Sequence, residues 1–328
     1  MTLPDILPMT PYLREMIWGG RGLQTHYQKN LPPGKSIGES WEVSAYREME
    51  SAVAHGPLVG RSLRRLVETC GSDLLGKRVC ERYAGEFPLL IKLLDARQDL
   101  SVQVHPDDGY ARAEGLGEFG KMEAWYILHS DAGKIACGLK EGVGKADFEA
   151  AVRHNRLEDV IRFFDVAPGD VVFLPPGTVH ALCKGVMVYE VQQSSDLTFR
   201  IYDYNRPGPD GAPRELHIDR ALDVIAFNTP AQKPVHWQTL SGPRHDAVIV
   251  QSPHFRLERF SPSGGCARHA TDGSFAALTL LNGSAAVAGP HESFPAQKGD
   301  TFLIPAGRAF SVTQQGHTRL DYLIASVP

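Results

Sequence analysis

The stretch Ser101-Val102-Gln103-Val104-His105-Pro106-Asp107 sets an amide and an imidazole two residues apart among small or apolar residues. That alternation is the side-chain period of a β-strand, so Gln103 and His105 point to the same face. Lys121-Met122-Glu123 repeats the spacing with an ammonium and a carboxylate. Farther on, Phe173-Leu174-Pro175-Pro176-Gly177-Thr178-Val179-His180 reads as a strand and a turn that deliver a second imidazole. Gln103, His105, Glu123 and His180 together offer nitrogen and oxygen donors. Zinc accepts such a set and keeps a position for water or substrate. One zinc ion per chain is the expected cofactor.

Another group lies in the run from Tyr189 to Tyr204. Glu190 and Gln192 share a face, as do Thr198, Arg200 and Tyr202. On a surface Arg200 would be half of a salt bridge of little worth. It lies between Phe199 and Ile201, however, in a strand expected to be buried on one side. A guanidinium directed into a protein interior needs an anionic partner. A phosphate or a developing enediolate fits its planar fork.

The chain must be long enough to hold these residues on one scaffold. Its 328 residues suffice for one large or two ordinary domains, and 42% are hydrophobic. A formal net charge of −4 with no long basic run argues against nucleic acid or an anionic membrane as partner. No stretch approaches a membrane span, and the first residues lack the pattern of a signal peptide. Five cysteines, odd in number and without a CxxC pair, read as reduced thiols in a cytoplasmic protein. Cys183, near His180, is a conceivable soft ligand, but the preferred reading is a small buried hydrophobe. Monomer and homodimer are both compatible with the sequence.

The patterning predicts strands over 38–44, 87–95 and 123–128, and a run of short strands up to about residue 204. It predicts a helix over 62–75, with Leu63, Leu66 and Val67 as its apolar stripe and Gly76 as its stop. A short helix capped by Asp107 is expected over 107–113. One or two helices are expected over 145–164 and another over 215–227. The segment 205–211, rich in Pro and Gly, reads as a loop.

An internal repeat sets the expected architecture. Gly169-Asp170-Val171-Val172-Phe173-Leu174-Pro175-Pro176-Gly177 aligns without a gap on Gly299-Asp300-Thr301-Phe302-Leu303-Ile304-Pro305-Ala306-Gly307. The pattern is a turn, a buried strand and a second turn, the signature of a double-stranded β-helix or cupin. The expected fold class is mainly β, with two jelly-roll cupin barrels in tandem and a few helices packed at the N-terminal and middle parts. The expected domains are a catalytic one over 1–235 and a degenerate one over 236–328. The first copy of the motif ends on His180 and the second places Phe310 there, so the second barrel is expected to be structural. The remaining histidines (26, 55, 129, 154, 217, 236, 245, 254, 269, 291 and 317) are read as packed or surface residues.

The chain resembles the short, bacterial form of the type I mannose-6-phosphate isomerases. The stretches that carry the resemblance include Ile17-Trp18-Gly19-Gly20, Gly38-Glu39-Ser40-Trp41-Glu42-Val43-Ser44 and Phe87-Pro88-Leu89-Leu90-Ile91-Lys92. Leu100 to Asp107, Gly120 to Tyr126, Pro175 to Ala181 and Glu190 to Asp196 complete the set. The resemblance implies interconversion of mannose 6-phosphate and fructose 6-phosphate through a cis-enediol with one zinc. It puts the zinc ligands on Gln103, His105, Glu123 and His180 and the catalytic arginine on Arg200. It makes Lys121 and Glu190 catalytic candidates, and Ser101, Lys121 and Arg200 substrate-binding ones. Met122 and Ala124 depart from the usual pattern and are expected to face away from the metal or to sit in the shell next to it. A cupin iron dioxygenase, with three His and a Glu, fits Gln103 poorly, and a sugar epimerase is a second cupin alternative. A bicupin that only binds or stores a sugar has no need of Arg200, Lys121 and Glu190 as a set.

Overall fold

The computed structural model describes residues 3–208, 211–230, 232–241, 246–262 and 265–328, apart from the side chain of Ser241. His245 lies outside the described residues. Strands dominate, and they form two pairs of packed sheets. In the N-terminal pair a seven-stranded sheet runs in the order Val235–His236, Asp170–Leu174, Glu123–Ser130, Val186–Gln193, Leu89–Asp95, Ile37–Val43, Tyr12–Gly20. The five-stranded sheet over it runs Ile161–Asp165, Lys134–Leu139, His180–Leu182, Val102–Val104, Phe199–Tyr202. Trp125, Ile127 and Val172 from the larger sheet share one buried cluster with Ile135, Cys137 and Leu182 from the smaller. Apolar residues on the inward side of each strand bind the two sheets together.

The C-terminal pair repeats the plan. A seven-stranded sheet contributes Leu278, Phe302 and Ile324 to a cluster that the four-stranded sheet completes with Val287, Phe310 and Val312. Its order includes the strands Leu7–Thr10 and Ala52–Val53, so residues from the start of the chain add to the C-terminal sheet. A third cluster, with Leu93 and Tyr126 on one side and Phe275, Leu303 and Leu323 on the other, joins the two pairs. A charge is buried at the same junction. Glu42, fully buried, accepts from Lys29 Nζ at 2.6 Å, Ser40 Oγ at 2.6 Å and Thr301 Oγ1 at 2.9 Å. Its partners come from both halves of the chain, as a buried carboxylate requires.

The repeated motif folds alike in its two copies. Gly177 and Gly307 both have positive φ, +82° and +68°, and a Cβ on Gly177 would meet Val224 O at 2.7 Å. Glycine is therefore demanded at that turn. The Gly177 N–H donates to His105 O at 2.9 Å, which ties the turn before His180 to the strand end that carries His105.

Several predicted elements stand close to their expected limits. The segment 38–44 is the strand Ile37–Val43, 87–95 contains Leu89–Asp95, and 123–128 is Glu123–Ser130. Asp107 caps the helix Asp108–Ala113 by accepting from Tyr110 N at 2.8 Å. The helix expected over 62–75 is broken. Gly71, at φ +46°, separates Leu63–Cys70 from Ser72–Leu75, and a further helix follows over Lys77–Arg82. The helical reading of 145–164 holds only for its first half. Lys145–Arg153 is a helix and Leu157–Asp159 a single tight turn, but Ile161–Asp165 is a strand. Apolar residues at 157, 160, 161 and 164 fit a helical period, but Ile161–Asp165 alternates between less and more exposed residues and pairs with Lys134–Leu139 as an edge strand. Among the described residues no helix is long and apolar enough to cross a membrane.

Candidate active site

Register brings the sequence candidates together. In the five-stranded sheet, Val102–Val104 lies between His180–Leu182 and Phe199–Tyr202. Gln103 is directly opposite His180 on one side and Arg200 on the other. Residues opposite each other on adjacent strands project to the same face, so His180, Gln103 and Arg200 form one row. In the facing sheet Trp41 pairs with Lys92, Lys92 with Glu190, and Glu190 with Trp125, a second row. Glu123 is opposite Gln192 and Leu174 in that sheet. The site lies between the two rows.

The imidazoles are held by carbonyls behind them. His105 Nδ1 lies 2.7 Å from Leu197 O, and His180 Nδ1 lies 2.9 Å from Thr178 O. A carbonyl only accepts, so each Nδ1 carries the proton and each Nε2 turns a lone pair inward. These lone pairs meet Glu123. Its Oε1 lies 3.2 Å from His180 Nε2 and its Oε2 3.6 Å from His105 Nε2. All three side chains are buried, and their ligand atoms lie within 4.8 Å of one another. Gln103 Nε2 is 3.4 Å from His105 Nε2 and 3.3 Å from His180 Nε2, and Ser101 Oγ donates to Gln103 Oε1 at 3.4 Å. A half-turn of the amide presents Oε1 to the same point.

The electrostatics ask for a cation. Burial lowers the His105 pKa well below its usual value and takes that of His180 down to about 4, so both rings are neutral. Burial raises Glu123 to about 7, against the pull of Lys121. Glu123 Oε1 is buried with no hydrogen-bond donor, facing the lone pair of His180. Two acceptors that face each other in this way without a donor between them are stabilised by a metal ion, although Lys121 already serves the other oxygen of Glu123. The residues present therefore fit zinc: Gln103, His105, Glu123 and His180 are the donors available to it. Met122 and Ala124 pack into or against the cluster between the sheet pairs, away from this point.

The other candidates surround the centre. Lys121 Nζ is 2.6 Å from Glu123 Oε2 and 3.0 Å from His105 Nε2. Glu190 accepts from Trp125 Nε1 at 2.8 Å and lies 3.3 Å from Lys92 Nζ. Burial pushes the Glu190 carboxyl up, but the charges of Lys92 and Lys121 outweigh it and hold the pKa below the usual carboxylate value. Arg200 donates from Nη1 to Glu215 O at 2.8 Å, while its Nε is buried without a partner. A cavity of about 210 Å³ opens over these groups, with Ser101, Gln103, Lys121, Glu190 and Arg200 in its lining. A larger hollow of about 500 Å³ lies behind the segment 194–198, lined by Tyr46, Arg64 and Phe119, but it contains none of the metal donors.

Some contributors escaped the sequence reading. His217, read as packed or surface, accepts from the Arg200 backbone N–H at 3.1 Å and returns its own N–H to Arg200 O at 2.7 Å. Lys92, Glu39 and Trp41 line or support the cavity although the sequence marks only their stretches, and no sequence pattern marks Arg214. The alternation of 37–43 and 89–95 was the signal available for the first three. Cys183 is not part of the donor cluster and is half-buried beside a different cavity; burial pushes its thiol up to about 12.

Residues 6–141 match the family described as phosphomannose isomerase type I, catalytic domain. The mannose-6-phosphate isomerase of Streptococcus mutans is 33% identical over 293 residues, which covers 89% of this chain and 90% of that protein. Mannose-6-phosphate isomerase ManA of Bacillus subtilis is 33% identical over 298 residues, covering 90% and 92%. The crystal structure of the mannose 6-phosphate isomerase from Bacillus subtilis superposes with a TM-score of 0.85 at 31% identity, covering 98% of this chain and 99% of that one. The chain belongs to the type I phosphomannose isomerase family of enzymes.

Proposed function

We propose that this chain interconverts mannose 6-phosphate and fructose 6-phosphate, moving a proton between C2 and C1 through a cis-enediol, at a site that takes one zinc ion. The observation that carries the reading is a cluster of three buried donors, His105, Glu123 and His180, next to a small polar cavity that Gln103, Lys121, Glu190 and an Arg200 without an ion pair line. Gln103, His105, Glu123 and His180 would hold the zinc, which when bound supplies a Lewis acid to polarise sugar oxygens. Arg200 takes the phosphate or the enediolate charge, for which its free Nε is suited. Glu190, kept ionised by Lys92 and Lys121, accepts the carbon-bound proton and returns it to the neighbouring carbon. Lys121 offers an N–H donor to the sugar oxygens, and Ser101 a hydroxyl beside Gln103.

The scaffold reading is that each pair of packed sheets is a cupin-type jelly-roll barrel. The catalytic barrel is built from 1–235 and the second from 236–328, with Leu7–Thr10 and Ala52–Val53 lent to the second barrel's sheet. The matched Gly-Asp motifs and their shared positive-φ glycines support this.

Turnover in deuterated water tests the chemistry. Proton transfer through an enediol puts solvent deuterium on C1 of the fructose 6-phosphate formed. Label on C1 supports transfer through a base, and a Glu190→Gln chain that turns over at the wild-type rate would remove Glu190 from its role.

A further inference from the structure

Five cations line the cavity: Arg14, Lys92, Lys121, Arg200 and Arg214. Four have a carboxylate, namely Asp196 at 3.2 Å, Glu190 at 3.3 Å, Glu123 at 2.6 Å and Asp203 at 2.5 Å respectively, leaving Arg200 aside. Among the described residues Arg200 is the one of the five without an ion pair. Arg214 is its close neighbour. After burial, the charge of Arg214 is the strongest influence that lowers the Arg200 pKa. Two guanidiniums at one side of a cavity repel each other, and an anion that contacts both removes the repulsion.

Arg214 is not free to turn away. Asp203 accepts from its Nε at 2.7 Å and its Nη2 at 2.5 Å, and from Arg206 Nη2 at 2.6 Å. Arg206 Nη1 in turn donates at 2.6 Å to Asp99 O, on the approach to Ser101. The Asp203 side chain is 4% exposed. Burial pushes its pKa up, but the hydrogen bonds from Arg214 and Arg206 outweigh that and keep it ionised. The fork to Asp203 occupies the Nε and Nη2 edge of Arg214 and leaves Nη1 for the cavity the residue lines. Arg200, Arg206, Arg214 and Asp203 together leave two positive charges, which a phosphate dianion neutralises.

We propose that Arg214 is a second phosphate-binding residue beside Arg200, and that Asp203 is a positioning residue that aims Arg214 through the fork. The inference rests on the sugar-phosphate reading above and deepens it. Preference for a phosphorylated hexose over a free one resides at the Arg200 and Arg214 side of the cavity.

The test uses the metal-loaded chain, with inorganic phosphate as a competitive inhibitor of mannose 6-phosphate turnover. Arg214→Gln should raise KM and the phosphate inhibition constant together, by about 10-fold to 100-fold, the worth of a hydrogen bond between charged groups. Asp203→Asn should raise both by a smaller factor. The double variant should be no worse than Arg214→Gln alone, because Asp203 acts through Arg214. A folded Arg214→Gln with unchanged phosphate inhibition overturns the proposal for Arg214. Additive effects in the double variant overturn the positioning role of Asp203. If Arg214→Gln does not fold, Arg214→Met serves instead: it keeps much of the side chain's bulk and loses the charge, and unchanged phosphate inhibition there counts equally against the proposal. Absence of turnover in the wild-type chain would fail the isomerase reading instead. Calorimetric titration of the same variants with inorganic phosphate would still decide the anion site.

Discussion

The two pairs of sheets share a ladder and differ in what they point inward. In the N-terminal pair Gln103 is opposite His180, and Glu123 is opposite Leu174. In the C-terminal pair the matching positions hold His269 opposite Phe310 and Ala276 opposite Ile304. Glu190, opposite Trp125, corresponds to Ile324, opposite Leu278. One interior gathers Glu123, His105 and His180, all buried, beside a cavity that buried Lys121 and Glu190 line. The other fills the same space with Phe310, Tyr322, Ile324 and Leu278. Backbone and register alone therefore do not set what an interior offers; the side chains at four or five inward positions do. The difference also has a stability side. Converging buried charges oppose folding unless they are paired, whereas the apolar interior stabilises outright.

Making the first interior resemble the second should have the largest effect. His180→Phe is expected to abolish stoichiometric metal binding, measured by elemental analysis after dialysis. The loss in affinity should exceed the roughly 10-fold to 100-fold that follows removal of a residue behind a metal ligand. Retention of one metal per chain would remove His180 from the donor set. Next in size, Arg200→Ala should lower kcat by about 100-fold to 1000-fold, the usual effect of losing one group that stabilises developing charge. Its metal content should be unchanged, and a nearly wild-type kcat would show that the unpaired guanidinium is not used.

The reverse change acts on stability alone. Phe310→Ala, in the apolar interior, should lower unfolding free energy by about 3–5 kcal/mol while turnover per folded molecule is retained. Loss of turnover at full folding would mean that the second interior takes part in the chemistry. The smallest effect is a pH dependence. His269 stacks on Phe310, meets Phe260 edge to face and reaches Tyr322 Oη at 2.7 Å, and burial lowers its pKa. A histidine with a depressed folded pKa costs nothing above its unfolded value of about 6.5. Below it the unfolded chain binds the proton first, so stability falls with pH by up to about 1.4 kcal/mol per unit. His269→Leu should flatten that part of the stability curve, measured by denaturant unfolding between pH 7 and 5. An unchanged slope would assign the dependence to other groups.

The inward set was legible because strand alternation is local. Two-residue spacing alone puts Gln103 with His105, and Lys121 with Glu123, on common faces, and the repeated Gly-Asp motif marks the turn before His180. What stayed hidden depends on the fold around these strands. The carbonyls of Leu197 and Thr178 that fix the imidazole tautomers carry no side-chain signal. His217 reaches the Arg200 backbone only because helix Ile218–Val224 starts beside strand Phe199–Tyr202. Arg214 sits in an irregular segment and is placed by Asp203, far from any periodic pattern. Ile161–Asp165 was misread because an edge strand took apolar residues whose spacing also fits a helix. The strand Leu7–Thr10 joins the C-terminal sheet through a pairing that local pattern does not encode.

The central claim is that the N-terminal interior performs metal-dependent isomerisation and the C-terminal one does not. Its most direct test is coupled detection of fructose 6-phosphate from mannose 6-phosphate, using protein of known metal content before and after chelation. Turnover that scales with one zinc per chain, disappears with the chelator and returns on adding zinc is the predicted result. Turnover that persists in fully metal-free protein, or none in protein with the zinc site filled, would contradict the account.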